Sequence, residues 1–451
     1  MKTPAKVTQD MTLGNPLKLI LTFAIPLFIG NVFQQLYAMV DAMVVGHFLG
    51  DTAIAAIGAT SSLYALLFNF ANGLNNGYGI IVSQKFGAKH ERHLKQSIAG
   101  MLLLDLGITF AITVLSLIFL RPLMTFLNTP AEIFRQAYIY MFLICGGLVA
   151  TMGYNMFATI LRSVGNSRVP LYFLIFSSLL NVGLDLLLVA VIPMGVAGAA
   201  IATVAAQVIS AFACGYYIFR NHREILPQKE DFQVEPGIYR SLFSTGSAMA
   251  MMSCLVDCGS VIFSRATNLL GQTAITAYTA GRRIMRIGIS FLGNLAHSGS
   301  IYVGQNWGAQ RYDRIRFGMK TTLLLEAAWS FLVTAVVYLF GRSLVILTTG
   351  TEDPEVIRLA TLSLRIHFAA SLPLGILFAL RHCLQSMGRK KAPLFSSIIE
   401  LFVKILAAFV LIPKLGFLGS CLTEPISWCL MAAYLLVYYF SQRKKLYPDM
   451  A

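Results

Sequence analysis

The sequence predicts an all-α polytopic membrane protein of twelve transmembrane helices arranged as two six-helix bundles. Three observations point there: apolar blocks long enough to cross a bilayer, a scarcity of charge, and a repeat of the whole pattern halfway along the chain. Of 451 residues, 57% are hydrophobic and only 12% are charged, whereas a soluble domain averages about 25% charged. A span needs ~20 residues at 1.5 Å each. Twelve blocks meet that length, at about 16–45, 54–83, 94–120, 132–162, 168–192, 196–220, 239–270, 275–304, 317–341, 356–387, 392–413 and 417–440.

The net charge of +15 is topogenic. With the N-terminus taken as cytoplasmic, 23 Lys and Arg fall in inside loops, 5 outside, and the other 7 of the 35 within blocks. By the positive-inside rule both termini are cytoplasmic, and no nucleic-acid partner is needed to explain the charge. The polar opening stretch MKTPAKVTQDMTLGN is followed by no cleavage site, which argues against a removed signal peptide. The seven Cys lie in apolar blocks without ligand spacing, and are expected to be small buried hydrophobes, neither disulfides nor metal ligands.

The chain repeats itself. VSQKFGAKHERHLKQS (82–97) returns as VGQNWGAQRYDRIRFG (303–318), and LGDTAIAAI (49–57) as LGQTAITAY (270–278), both at an offset of 221. LRSVGNSRVPLYF (161–173) returns as LQSMGRKKAPLFS (384–396) at 223. Six spans per half place both halves in one orientation, a parallel repeat of the kind secondary transporters use. The expected lobes are 1–225 and 226–451, joined by the polar linker 220–240.

Polar groups inside the apolar blocks mark the candidate site. Asp41 sits in FQQLYAMVDAMVV; a carboxylate at membrane depth costs at least ~2.5 kcal/mol on the mildest scale and is a functional candidate. Asn181 and Asp185 in SSLLNVGLDLLL are four apart, one helix face. Thr203 in IATVAAQ, and Gln34 and Tyr37 ahead of Asp41, complete a hard-oxygen set. Such a set holds Na⁺, or shares protons because neighbouring carboxylates resist joint ionisation. Pro26 inside the first span supplies a hinge, since it removes a backbone hydrogen bond. The second half does not repeat the set: Asp41 corresponds to Ile262 at offset 221, and Asn181 to Lys404 at 223.

Together the motifs VDAMVVGHFLG, LRSVGNSRVP, NVGLDL, TAITAYTAGRRI, VGQNWGAQRYDRIR and ELFVKILAAFVLIPKLGFLGSCLTEP resemble the multidrug and toxic compound extrusion (MATE) family over nearly the full length. The resemblance implies two V-arranged bundles and antiport of drug-like, cationic organic compounds against H⁺ or Na⁺. It implies a cation or proton site at Asp41, Asn181, Asp185 and Thr203, beside a cavity with Gln34, Tyr37, Tyr138 and Asn155. It further implies a monomer without a cofactor in the cytoplasmic (inner) membrane of a prokaryote, its partners being the lipid bilayer and a small organic substrate. One departure concerns the second half, where Arg265, Arg282, Arg283, Arg286, Arg365, Arg381 and Lys404 stand against Asp257, Glu326, Glu400 and Glu424. Glu400 and Lys404 are an i, i+4 pair able to neutralise each other. Alternatively Arg286, Glu400 and Lys404 line a cavity for an anionic or zwitterionic metabolite. A lipid-linked precursor flippase of the same superfamily is a further alternative. An enzyme is not expected, for want of HExxH, Gly-x-Ser-x-Gly or clustered His and Cys.

Overall fold

The structure, a computed structural model, describes residues 9–447. Lys2 and Lys6, counted among the cytoplasmic charges, lie outside the described residues. Every regular element among the described residues is helical. The first half comprises α1 (Pro16–Leu49), α2 (Asp51–Gly87), α3 (Glu91–Phe126), α4 (Ala131–Gly146), α5 (Leu148–Ser163), α6 (Arg168–Asp185) and α7 (Val196–Asn221). The second comprises α8 (Pro236–Asn268), α9 (Gln272–Gly308), α10 (Tyr312–Thr349), α11 (Pro354–Ala369), α12 (Ser371–Ser386), α13 (Lys391–Leu406), the short α14 (Ile412–Leu415), α15 (Phe417–Ser441) and the short α16 (Arg443–Leu446). π-helical turns continue α6 over Leu186–Val191 and α13 over Ala407–Leu411.

Among the described residues nine helices are long and apolar enough to span a bilayer, and eleven spans result when the bent pairs α4–α5 (45°) and α11–α12 (48°) each count as one. The twelfth expected span is α9. It is 37 residues long, but Arg282, Arg283, Arg286, Asn294 and His297 lower its hydropathy. Large apolar side chains such as Phe110, Ile118, Phe126 and Leu339 are exposed, as lipid-facing positions are. Cys258 and Cys429 are exposed as well, which corrects the expectation that all seven cysteines are buried.

The repeat is written into the element boundaries. Helices α2 and α9 start at 51 and 272, α3 and α10 at 91 and 312, α7 and α15 at 196 and 417, each 221 apart. For α4 and α11 (131, 354), α5 and α12 (148, 371) and α6 and α13 (168, 391) the separation is 223. The slip arises because α10 has 38 residues and α3 has 36. The turns at Gly50 (φ 78°) and Gly271 (φ 93°) stand 221 apart in the left-handed region that favours glycine.

The chain packs as two compact units, Ile29–Ala250 and Met11–Phe28 with residues from Met251 onward. The division differs from a cut at 225/226. The first part of α1 packs with the second unit and the first part of α8 with the first unit, because small residues and backbone hydrogen bonds dock them there. In the first unit, a Cβ at Gly77 of α2 would fall 2.5 Å from Gly246 Cα of α8, and one at Gly73 2.7 Å from Ala250 Cα. This is close backbone packing between small residues four apart. Gly77→Ala is therefore expected to lose about 1–3 kcal/mol through overpacking, read as a lower apparent unfolding temperature in detergent.

In the second unit, Met11 N–H donates to Gln305 Oε1 (2.8 Å) and Ser298 Oγ to Ile20 O (2.7 Å). Arg314 donates to the carbonyls of Met11 (3.1 Å) and Gly14 (3.0 Å), and its guanidinium lies over the Tyr302 ring. Arg314→Ala is expected to raise amide hydrogen exchange over residues 11–20 while leaving α13 and α15 protected. The linker folds as two 3₁₀ turns, Arg223–Ile225 and Lys229–Phe232, and Gln96 Nε2 holds it by donating to Gln233 O (3.3 Å).

Candidate functional site

Three helices of the first unit converge on one polar pocket. Helix α1 presents Gln34, Tyr37 and Asp41 at spacings of three and four, hence on one face. Asn181 and Asp185 occupy the last turn of α6, and Thr203 sits in the second turn of α7. The π-helical turn Leu186–Val191 begins directly after Asp185, and such bulges cluster at functional sites.

Asp185 is fully buried and Asn181 nearly so. The Asn181 amide donates to Thr203 Oγ1 (3.5 Å), whose hydroxyl donates to Ala199 O (3.0 Å). The Asp41 and Asp185 carboxyl groups are neighbours, with no basic side chain influencing either. Asp41 Oδ1, both Asp185 oxygens and Asn181 Oδ1 are buried without a hydrogen-bond donor. Buried carboxylates lacking donors and counter-charge are among the most costly groups a fold can hold. A proton shared between the two acids, or a cation bound among the oxygens, would offset that cost.

Gln34 hydrogen-bonds Tyr37, and Tyr37 and Tyr140 both lie close enough to sense the two acids. Tyr64 adjoins Tyr37 and Tyr140. The structure thus brings Gln34, Tyr37, Asp41, Asn181, Asp185 and Thr203 together. It adds Tyr140 and Tyr64, which no motif in the sequence singled out. Tyr138 stacks on Phe142 at 5.9 Å, and the Asn155 amide donates to Thr151 O one turn back (2.9 Å).

The register-equivalent places in the second unit carry opposite chemistry. Asn181 maps onto Lys404 (181 + 223) and Thr203 onto Glu424 (203 + 221), while Asp41 and Asp185 map onto Ile262 and Ala408. Lys404 Nζ donates to Glu400 Oε1 (2.8 Å) and Ser260 Oγ (3.0 Å). Glu400 Oε2 lies 3.9 Å from Arg381 Nη2. Glu424 Oε2 lies 3.5 Å from His367 Nε2, with Arg282 nearby. Arg286 is exposed, with Arg282 and Arg283 as its charged neighbours. Where the first unit has uncompensated oxygens, the second carries its own tethered ammonium and guanidinium.

Another acid escaped the sequence reading. Asp105 of α3 and Glu326 of α10 are both buried and stand 221 apart, in MLLLD and TLLLE. Glu326 was already in view, and the offset of 221 was the signal that would have led from it to Asp105.

The chain is similar to known proteins over nearly its whole length. The MatE family model matches residues 26–187 and again 248–410. The probable multidrug resistance protein YoeA of Bacillus subtilis is 24% identical over 450 residues, covering 97% of each chain. The FAD transporter of Shewanella oneidensis is 23% identical, covering 94% of each. A solved MOP superfamily transporter from Pyrococcus furiosus superposes with a TM-score of 0.89 at 20% identity over 99% of both chains. On these matches the chain belongs to the MatE family of integral membrane transporters.

Proposed function

We propose that the protein is a secondary antiporter that exports small, drug-like organic cations in exchange for H⁺ or Na⁺. The single observation that supports this reading most is the Asp41–Asp185 pair, three of whose carboxylate oxygens are buried without donors, as is Asn181 Oδ1 beside them. A transporter that ran without a coupling cation would gain nothing from so costly a group. The pair itself is not duplicated, because Lys404 and its partners fill the equivalent place in the second unit. Tyr37, Tyr64 and Tyr140 supply the aromatic faces that a desolvated organic cation favours. Pro26 lies two residues before the Phe28/Ile29 division within α1, so loading of Asp41 would act across a ready hinge and drive alternating access.

The 23 to 5 bias of basic residues supports cytoplasmic termini. A monomer suffices, since one chain holds all six members of the pocket. A second reading, an anionic or zwitterionic substrate, is favoured by the exposed Arg283 and Arg286 of α9. The FAD transporter among the relatives supports it too.

The test is accumulation of a fluorescent organic cation by exporter-deficient bacteria expressing the chain. Lower accumulation than in empty cells, reversed by Asp41→Asn, is the expected result. Unchanged cation accumulation alongside lowered accumulation of a flavin nucleotide would overturn the cationic reading in favour of the anionic one.

A further inference from the structure

Glu326 of α10 is a buried carboxyl with no part in the Asp41–Asp185 pocket. Its exposure is 0%, and neither carboxylate oxygen has a hydrogen-bond partner. It packs against α12, where a Cβ at Gly375 would fall 3.0 Å from Glu326 Cβ and 3.4 Å from its Oε2. One and two turns further along the same face of α10 stand Ser330 and Thr334. Ser330 Oγ donates to Ser371 O (3.1 Å), and Thr334 Oγ1 to Phe368 O (2.7 Å). These carbonyls flank the 48° break between α11 and α12, where helical bonds are lost and donors are needed. Glu326, Ser330 and Thr334 thus form an acid–hydroxyl–hydroxyl stripe along the bend.

The first unit has the same stripe as Asp105, Thr109 and Thr113, all buried, on the helix that faces its own broken pair α4–α5 (45°). There Asn75 lies beside the acid. Its equivalent in the second unit is Ala296 (75 + 221), so Glu326 lacks even that amide. The titratable group beside Glu326 is the Cys383 thiol of α12. On the helices around it, His367 of α11 pairs with Glu424, Arg381 of α12 with Glu400, and Arg282 of α9 lies near Glu424. Arg358 of α11 pairs with Glu355, Arg365 lies over the Tyr338 ring, His382 of α12 donates to Phe378 O, and Arg283 and Arg286 of α9 are exposed. An ionised carboxylate here would cost several kcal/mol with nothing to offset it. Even a neutral acid is less stable in such a place than an apolar side chain of its size. Stability therefore gives no reason to keep an acid at this place.

We propose that Glu326 is a proton-binding site of the second unit, holding its proton while α10 lies against the α11–α12 bend and exchanging it when that packing opens. The proposal rests on the transporter reading, since opening belongs to the transport cycle. Two measurements test it on the full chain. Infrared spectra of wild type minus Glu326→Gln should show the carbonyl stretch of a protonated carboxylic acid, lost in the variant. In proteoliposomes Glu326→Gln should move one proton fewer with each substrate than wild type does. Absence of the band from the difference spectrum overturns the proposal, because Glu326 is then ionised. So does an unchanged proton count, which makes the acid purely structural. Should Glu326→Gln not fold, Glu326→Asp replaces it, with a shifted band expected in place of a lost one. If neither protein moves substrate, the exporter reading falls separately. The wild-type band then decides alone: its disappearance as pH is raised supports exchange, and its persistence overturns it.

Discussion

Asp41→Asn should abolish gradient-driven transport while leaving the fold intact. The amide keeps the shape of the side chain and relieves a place where two carboxyl groups meet without a counter-charge. Stability is therefore expected to hold or rise, since an uncompensated charge is removed from a buried site. Coupling is what disappears. A coupling free energy of about 1–3 kcal/mol corresponds to a roughly 5–150-fold effect of the ion on substrate affinity, and that effect should be absent from the variant. Asp185→Asn should behave alike, because the pair acts as one unit. Stopped-flow flux in proteoliposomes, paired with unfolding temperatures of the same preparations, checks both halves of the prediction. A destabilised Asp41→Asn protein would mean that the acid is structural.

Lys404→Ala should have the opposite profile, a heavy stability loss. Its ammonium bridges Glu400 and Ser260 at 2.8 and 3.0 Å in a buried setting. Removing one partner of such a pair strands the other and costs about 3–5 kcal/mol. The double variant Glu400→Gln, Lys404→Met removes both charges together and should recover most of that loss. Apparent unfolding temperatures of the wild type, both single variants and the double variant in detergent give the comparison. If Lys404→Ala and the double variant unfold alike, the pair is not the source of the cost. Lys404→Asn places the first unit's residue at this position and should be no better than Lys404→Ala, because the carboxylates that Asn181 accompanies are Ile262 and Ala408 here.

The fold was largely legible because bilayer-length apolar blocks and a duplicated pattern are coarse signals. The offsets of 221 and 223 found in short motifs reappear at the starts of six helix pairs. The break within the fourth and tenth spans was not legible: Gly147 and Ala370 mark it, yet neither residue type stops a helix by itself. The assignment of 11–28 to the second unit was hidden as well, since it depends on partners such as Gln305 and Arg314 almost 300 residues away.

For the site, spacing on one helix face placed Gln34, Tyr37 and Asp41 together and paired Asn181 with Asp185. Tyr140 and Tyr64 were invisible because aromatics in apolar blocks carry no signal apart from packing. Tyr138 was named by likeness to the family and not from its place in the sequence. It is two residues from Tyr140, on the same helix, and its ring stacks on Phe142. Asp105 and Glu326 went unpaired for a different reason: both lie outside the short repeated motifs, amid leucines that carry no register of their own.

The central claim is that a cation or proton taken up at Asp41 and Asp185 drives export. The most direct measurement is flux of a fluorescent organic cation in proteoliposomes under a pH gradient alone and then a Na⁺ gradient alone, with wild type and Asp41→Asn side by side. Uphill movement under one of the two gradients is expected, with the variant flat under both. Uphill movement by Asp41→Asn at the wild-type rate would contradict it.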